Sequence, residues 1–213
     1  MKVIILAGGL GTRLSEETQT KPKPMVEIGG KPIIWHIMKI FSKYNFNEFI
    51  ICCGYKGFIL KEYFANYSLH MSDITFDMQS NSVKVHRTDV EPWKITLVDT
   101  GFSTMTGGRL LRIKEYLKNE SFIVTYGDGV ADIDINQLVN HHKKMGLKAT
   151  LTAVKLPSRF GAVDIQKDNI INEFKEKPIG DKSWINGGFF VLEPSVLEKI
   201  SGDDCTWEKE PLE

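Results

Sequence analysis

The chain has 213 residues, of which 42% are hydrophobic and 25% charged, proportions typical of a globular protein that can bury a sizeable core. Its 27 Lys and Arg residues balance 27 Asp and Glu residues, and this zero net charge argues against a nucleic-acid partner. No apolar run reaches the ~20 residues of a membrane span, and three cysteines without a Cys-x-x-Cys pair favour a cytoplasmic protein with no membrane partner.

Apolar runs alternate with helical patterns along most of the chain. Strands are predicted at residues 3–6, 47–53, 95–98, 122–126, 149–156, 161–165, 170–176 and 187–192, with weaker ones at 75–78 and 83–86. Helical spacing of apolar residues predicts helices over 31–46, 57–67, 107–119, 133–145 and 194–200. This alternation predicts an α/β fold whose mostly parallel sheet is covered on both faces, with ligands bound outside the carboxyl ends of the strands. Without a repeat or linker, we expect one domain over residues 1–213.

The first predicted strand opens directly into a glycine-rich loop, AGGLGTR at residues 7–13. Glycines let the backbone turn tightly and approach a ligand, and the N–H groups of such a loop bind anions. Arg13 at its end suits bidentate contact with phosphate. The loop lacks the Lys-Ser or Lys-Thr of a P-loop, and Leu14 stands where a dinucleotide fingerprint has its third glycine. We predict a phosphate-binding loop, the alternative being a glycine turn without a ligand.

Lys23 lies between Pro22 and Pro24, shortly after this loop. Because each proline restricts the backbone around it, the lysine can be held in one direction. Arg13 and Lys23 could therefore converge on one phosphate chain. The alternative is a solvated charge beside a rigid turn.

Asp128 follows the apolar strand at 122–126 and lies between Gly127 and Gly129. The glycine loop also follows a strand, so we expect both at the same edge of the sheet. One or two carboxylates together with phosphate oxygens and waters are the usual environment of Mg²⁺. The sequence therefore predicts a magnesium ligand at Asp128, with a simple turn aspartate as the alternative.

Polar residues close to the last predicted strands suggest a second substrate. Glu176 and Lys177 end one strand before a proline, and Asn186 precedes two glycines at the start of another. An amide beside closely approaching backbone suits recognition of sugar hydroxyls. Exposed strand ends with mixed charges are the alternative.

Five segments, in this order, resemble the sugar-phosphate nucleotidylyltransferases: LAGGLGTRL at 6–14, KPKPM at 21–25, GDG at 127–129, EKP at 176–178 and NGGFF at 186–190. Other segments resemble the branch of that family that uses CTP and glucose 1-phosphate: WHIM at 35–38, CCGYKG at 52–57, VEPW at 90–93, MTGGR at 105–109 and TWEKEPL at 206–212. The resemblance implies a Rossmann-like, three-layer nucleotidyltransferase fold with a mostly parallel mixed sheet.

The resemblance also implies a reaction. A cytidylyl group would pass from CTP to glucose 1-phosphate, giving CDP-glucose and pyrophosphate with the help of Mg²⁺, in a homo-oligomer that serves polysaccharide biosynthesis. A uridylyl- or thymidylyltransferase and a nucleotide- or sugar-binding protein without turnover stay open as alternatives. Family members continue beyond residue 213 with a segment that carries a second magnesium ligand, so we expect this chain to lack that ligand.

Roles can be carried over where the motifs match. The resemblance implies catalytic roles for Arg13, Lys23 and Asp128, with Asp128 as the metal ligand. It implies nucleotide binding by Leu6, Ala7, Gly8, Gly9, Gly11 and Thr12. It implies sugar-phosphate binding by Gly161, Glu176, Lys177 and Asn186.

The choice of base is a separate question. Cytosine offers O2 and N3 as adjacent acceptors, whereas N3 of uracil is a donor. An arginine aimed at O2 and N3 would accept cytosine and disfavour uracil. We predict this role for Arg109, with Thr104 near it.

Overall fold

A computed structural model describes residues 1–11, 20–155, 162–165, 171–175 and 184–212 of the chain. Its strands are β1 Val3–Leu6, β2 Glu27–Ile28, β3 Lys31–Pro32, β4 Glu48–Cys53, β5 Ser72–Asp77, β6 Ser82–Thr88, β7 Lys94–Asp99, β8 Phe122–Tyr126, β9 Ala149–Val154, β10 Ala162–Ile165, β11 Ile171–Lys175 and β12 Ile185–Leu192. Its α-helices are α1 Ile33–Ser42, α2 Gly57–Ala65, α3 Tyr67–His70, α4 Thr106–Arg112 and α5 Ile135–Met145. Turns of 3-10 helix lie at Lys23–Met25, Lys114–Tyr116 and Pro194–Lys199.

The main sheet has six strands in the order β7-β4-β1-β8-β12-β9. β1 pairs in parallel with β4 and with β8, and β4 pairs in parallel with β7. β12 is the antiparallel member, paired with β8 on one side and β9 on the other. The predicted α/β fold with a mostly parallel mixed sheet is therefore confirmed.

Both faces of this sheet are buried, which explains why β1 is apolar at every position. Val3 and Ile5 face a core that includes side chains from α1, α2 and α5. Ile4 and Leu6 face a second core, formed with α4 and with the C-terminal segment around Trp207. Successive residues of a strand point to opposite faces, so one short run supplies both cores of a three-layer structure.

Several predicted boundaries are wrong for local reasons. The helix predicted over 31–46 is shorter, since Lys31–Pro32 pairs with Glu27–Ile28 and the helix ends at Ser42. The helix predicted over 107–119 ends at Arg112 and gives way to a 3-10 turn. The helix predicted over 194–200 is a 3-10 turn at Pro194–Lys199.

The two weaker strands are confirmed and are longer than predicted. β5 and β6 form an antiparallel hairpin outside the main sheet, in which Ile74 lies opposite Val85 and Phe76 opposite Val83. Phe76, Val83 and Val85 are exposed. Among the helices in the described parts of the chain, none combines the length and apolarity that crossing a membrane requires.

Candidate active site

A pocket of about 630 Å³ opens beyond the carboxyl ends of β1 and β8. Its walls come from five parts of the chain: the glycine loop, the turn after β8, the 3-10 turn with Lys23, the start of α4 and the C-terminal segment. The residues lining it are Leu6, Ala7, Gly8, Gly9, Gly11, Lys23, Pro24, Thr104, Met105, Thr106, Arg109, Tyr126, Gly127, Asp128 and Glu208. This is the edge where ligands bind in open α/β sheets, and it is where the sequence predicts the site.

Neighbouring strands hold the start of the glycine loop. The N–H of Ala7 donates to the carbonyl of Cys52 at 3.1 Å, and the carbonyl of Gly8 accepts from the N–H of Tyr55 at 3.2 Å. On the other side, the N–H of Gly127 donates to the carbonyl of Leu6 at 2.9 Å. The start of the loop, at Ala7 and Gly8, is thus held between the ends of β4 and β8.

Arg109 on α4 is 4% exposed and joins this loop to two strand ends. Its Nη2 donates to the carbonyl of Gly8 at 3.0 Å, and its Nη1 donates to the carbonyls of Cys53 at 3.1 Å and Gly101 at 2.8 Å. Nη1 also donates to the Thr100 hydroxyl at 2.7 Å. Burial lowers the pKa of this guanidinium from its usual value. The residue predicted to read the base is therefore also a brace for the pocket wall.

These hydrogen bonds limit the N–H groups that Arg109 could offer to a base. A bidentate contact uses two N–H groups on one edge of the guanidinium. Nη1 and Nη2 are both engaged with protein acceptors, and only Nε has no acceptor among the residues that the structure describes. Thr104, predicted beside it, is buried and lines the same pocket.

Lys23 and Asp128, which are 105 positions apart, form an ion pair in the pocket. Lys23 starts a 3-10 turn whose neighbours Pro22 and Pro24 are buried, so the turn is anchored on both sides of the lysine. Asp128 projects from the turn after β8. Lys23, predicted to contact the phosphates, and Asp128, predicted to hold Mg²⁺, therefore lie side by side in the pocket.

The pocket contains two carboxylates, Asp128 and Glu208, which differ in their surroundings. Both Glu208 oxygens accept hydrogen bonds from protein hydroxyls. The Asp128 side chain is 37% exposed and its Oδ2 is paired with Lys23. No group of three or more His, Cys, Asp or Glu side chains forms a metal cluster within the described part of the chain. The partly exposed carboxylate of Asp128 could hold a metal ion whose remaining ligands are substrate phosphates and water.

Three polar residues of the pocket were not predicted from the sequence: Thr106, Tyr126 and Glu208. Tyr126 donates its hydroxyl hydrogen to Oε1 of Glu208, and the Thr106 hydroxyl donates to Oε2 at 2.6 Å. Burial, reinforced by the bond to Glu208, raises the pKa of Tyr126. Tyr126 was detectable as a polar group at the end of an apolar strand, whereas Glu208 had no signal beyond its motif.

Of the residues predicted to bind the sugar phosphate, the structure describes Asn186. The Nδ2 of Asn186 donates to the Tyr126 hydroxyl at 3.3 Å, and this links Asn186 to the pocket wall. Among the other predicted site residues, five lie outside the described residues: Thr12, Arg13, Gly161, Glu176 and Lys177.

Comparison with known proteins agrees with this fold. A family model described as "Nucleotidyl transferase" matches residues 2–212, so the chain belongs to the nucleotidyl transferase family. A solved structure, HddC from Yersinia pseudotuberculosis, has the same fold, with a TM-score of 0.69 at 24% identity over 98% of this chain and 84% of that one.

Two individual relatives have a more specific description than the family model. The chain is 64% identical over all 213 residues to glucose-1-phosphate cytidylyltransferase of Salmonella typhi, and it covers 82% of that protein. It is 46% identical over 213 residues to the probable glucose-1-phosphate cytidylyltransferase of Bacillus subtilis, of which it covers 83%.

Proposed function

We propose that this chain transfers the cytidylyl group of CTP to glucose 1-phosphate, with CDP-glucose and pyrophosphate as products. The observation that carries the proposal is the 64% identity that extends over every residue of the chain to a glucose-1-phosphate cytidylyltransferase. The pocket supports it, because a glycine loop, a lysine and an aspartate meet there at the edge where α/β sheets bind nucleotides.

The nucleotide would lie along the glycine loop. Its triphosphate would face Gly8, Gly9 and Gly11, and its base would face the wall formed by Thr104 and Arg109. The remaining Nε donor of Arg109 would then meet an acceptor of cytosine. A single N–H directed at N3 still distinguishes cytosine from uracil, because N3 of uracil carries a hydrogen.

In the proposed reaction, a phosphate oxygen of glucose 1-phosphate forms a bond to the α-phosphorus of CTP. The bond from that phosphorus to the bridging oxygen breaks, and pyrophosphate leaves with the electron pair. The protein forms no covalent bond, so its contribution is positioning and charge neutralisation. The Lys23 ammonium would exchange Asp128 for the α-phosphate and the attacking sugar phosphate, which brings two anions together.

Asp128 would hold Mg²⁺ once Lys23 has moved to the phosphates. The metal ion, when bound, supplies positive charge to the phosphate oxygens. Arg13 would neutralise the departing pyrophosphate, and Thr12 would extend the phosphate loop. Gly161, Glu176 and Asn186 would face the glucose, and Lys177 would hold its phosphate. These roles rest on the motif resemblance.

A pyrophosphate-release assay with CTP, glucose 1-phosphate and Mg²⁺ tests the proposal. We expect one CDP-glucose, identified by mass spectrometry, for each pyrophosphate released, and no release when glucose 1-phosphate is omitted or EDTA is added. Tight binding of CTP with no CDP-glucose would instead establish a nucleotide-binding protein without turnover.

We also propose that the chain lies in the cytoplasm and that it forms a homo-oligomer. The three cysteines are free and buried, as suits a reducing compartment. An isolated two-stranded hairpin is marginally stable in water, and the exposed apolar face of β5 and β6 would be covered by a second copy. Light scattering after size exclusion should give a multimeric mass, and Val83→Lys should lower it. A monomeric wild-type mass would contradict self-association.

A further inference from the structure

Glu208 sets the direction of a hydrogen-bond network in the pocket wall. An ionised carboxylate only accepts hydrogen bonds. Glu208 accepts from the hydroxyls of both Tyr126 and Thr106. The Thr106 oxygen in turn accepts from the N–H of Trp207 at 2.9 Å, so the Thr106 hydroxyl is bonded both as donor and as acceptor.

Because Tyr126 donates to Glu208, it also determines that Asn186 is the donor in the next hydrogen bond. With its only hydrogen given to Glu208, the Tyr126 oxygen can act only as an acceptor, and it accepts from Nδ2 of Asn186 at 3.3 Å. The Oδ1 of Asn186 accepts from the N–H of Gly188 at 2.8 Å. Both ends of the amide are therefore fixed, and among the residues that the structure describes the second N–H of Nδ2 has no acceptor, so it could face a ligand.

Packing holds the members of this network in place. A methyl group at Gly188, whose φ is +84°, would approach the Tyr126 ring to 2.9 Å, so the strand and the ring are in close contact. Trp207, next to Glu208, is 1% exposed. Its ring packs edge-on against Phe190 with 6.2 Å between centroids. Glu208 thus comes from an anchored segment.

We propose that Glu208, acting through Tyr126, is a positioning residue that fixes Asn186 as a hydrogen-bond donor toward a hydroxyl oxygen of the sugar substrate. The inference rests on the proposed function for the identity of that substrate. It also joins the two halves of the site, because Thr106 starts the helix that carries Arg109, and Asn186 lies on the predicted sugar side.

The test uses Glu208→Gln and Tyr126→Phe, with Glu210→Gln as the matched control. Glu210 is an exposed acid two residues further along, and its Oε2 is 3.9 Å from Sγ of Cys205. Either network variant should raise KM for glucose 1-phosphate about tenfold, as expected for one lost hydrogen bond of about 1.4 kcal/mol, with a much smaller change in KM for CTP. The double variant should be no worse than either single one. An equal rise in both KM values, or a tenfold effect in the control, would overturn the proposal.

A second measurement does not depend on turnover. The side-chain amide signals of Asn186 in a ¹⁵N–¹H correlation spectrum can be assigned by their disappearance in Asn186→Asp. They should move in both network variants, stay in place in Glu210→Gln, and move in the wild type when glucose 1-phosphate is added. Unmoved signals in Glu208→Gln and Tyr126→Phe would overturn the network, whereas an inactive wild type with moving signals would overturn only the proposed reaction.

Discussion

The carbonyl of Gly8 accepts a hydrogen bond from Nη2 of Arg109 at 3.0 Å, across 101 positions of sequence. The two residues are so close that a methyl group at position 8 would lie 2.1 Å from Nη1 of Arg109. The start of the glycine loop and the wall that carries Arg109 are therefore packed together at Gly8. Glycine at position 8 is required by this contact, in addition to any contact with phosphate.

Gly8→Ala should lower stability because the methyl group forces Arg109 away from its carbonyl partners. Overpacking of this kind typically costs about 1–3 kcal/mol, which corresponds to a fall in Tm of several degrees for a chain of this size. Gly9→Ala is the matched control, since a methyl group there meets nothing within 4 Å among the described residues. Thermal unfolding followed by circular dichroism measures both variants. Equal Tm values for the two would contradict the packing argument.

Lys23→Met should leave the fold intact and reduce kcat for CDP-glucose formation about 10²–10³-fold, the cost typical of losing a group that stabilises developing charge. Lys21→Met is the control, because Lys21 pairs with Glu27 at 3.5 Å and does not line the pocket. Steady-state kinetics measures kcat for both variants and for the wild type. If both variants retained the wild-type kcat, Lys23 would be only a solvated charge.

Arg109→Lys should change the choice of base as well as stability. Lysine keeps a charge but cannot bond to Gly8, Cys53 and Gly101 from one planar group. We expect a lower Tm and a fall of about tenfold or more in the ratio of kcat/KM for CTP over UTP. A parallel fall for both nucleotides, with the ratio unchanged, would limit Arg109 to bracing the pocket.

Glu193, which does not line the pocket, should make the stability of the fold depend on pH. Hydrogen bonds from Ser121 at 2.7 Å and from the His142 ring at 3.0 Å lower the pKa of Glu193 below its ordinary value of 4.5. A carboxyl with a lowered pKa stabilises the fold above its unfolded pKa, and this contribution is lost as the pH falls through the folded pKa.

Glu193→Gln should therefore have a lower Tm than the wild type at pH 7, and the difference should shrink as the pH falls below about 4.5. Glu198→Gln, at an exposed position on the neighbouring 3-10 turn, is the control. A Tm difference between Glu193→Gln and wild type that stays constant down to pH 3 would show that the charge of Glu193 contributes nothing.

The parts of the site that could be predicted are those fixed by strand ends. The glycine loop and Asp128 each follow an apolar run, and parallel strands carry their following loops to one edge. Proline on both sides of Lys23 indicated a held lysine, and the structure places it against Asp128. Local pattern and topology were sufficient for these three features.

The contacts that could not be predicted depend on packing between distant segments. The bond from Tyr126 to Glu208 spans 82 positions and requires the C-terminal segment to cover the second face of the sheet. The buried bonds of Arg109 depend on three separate strand ends meeting at α4. Spacing in the sequence carries no sign of either arrangement, so Arg109 was predicted as a base contact without its role as a brace.

Cytidylyl transfer to glucose 1-phosphate can be tested in a single experiment by competition between nucleotides. CTP, UTP and dTTP would be supplied together at equal concentration with glucose 1-phosphate and Mg²⁺, and the nucleotide sugars separated by chromatography. We expect CDP-glucose in large excess over UDP- and dTDP-glucose. Predominance of UDP- or dTDP-glucose, or the absence of any nucleotide sugar, would contradict it.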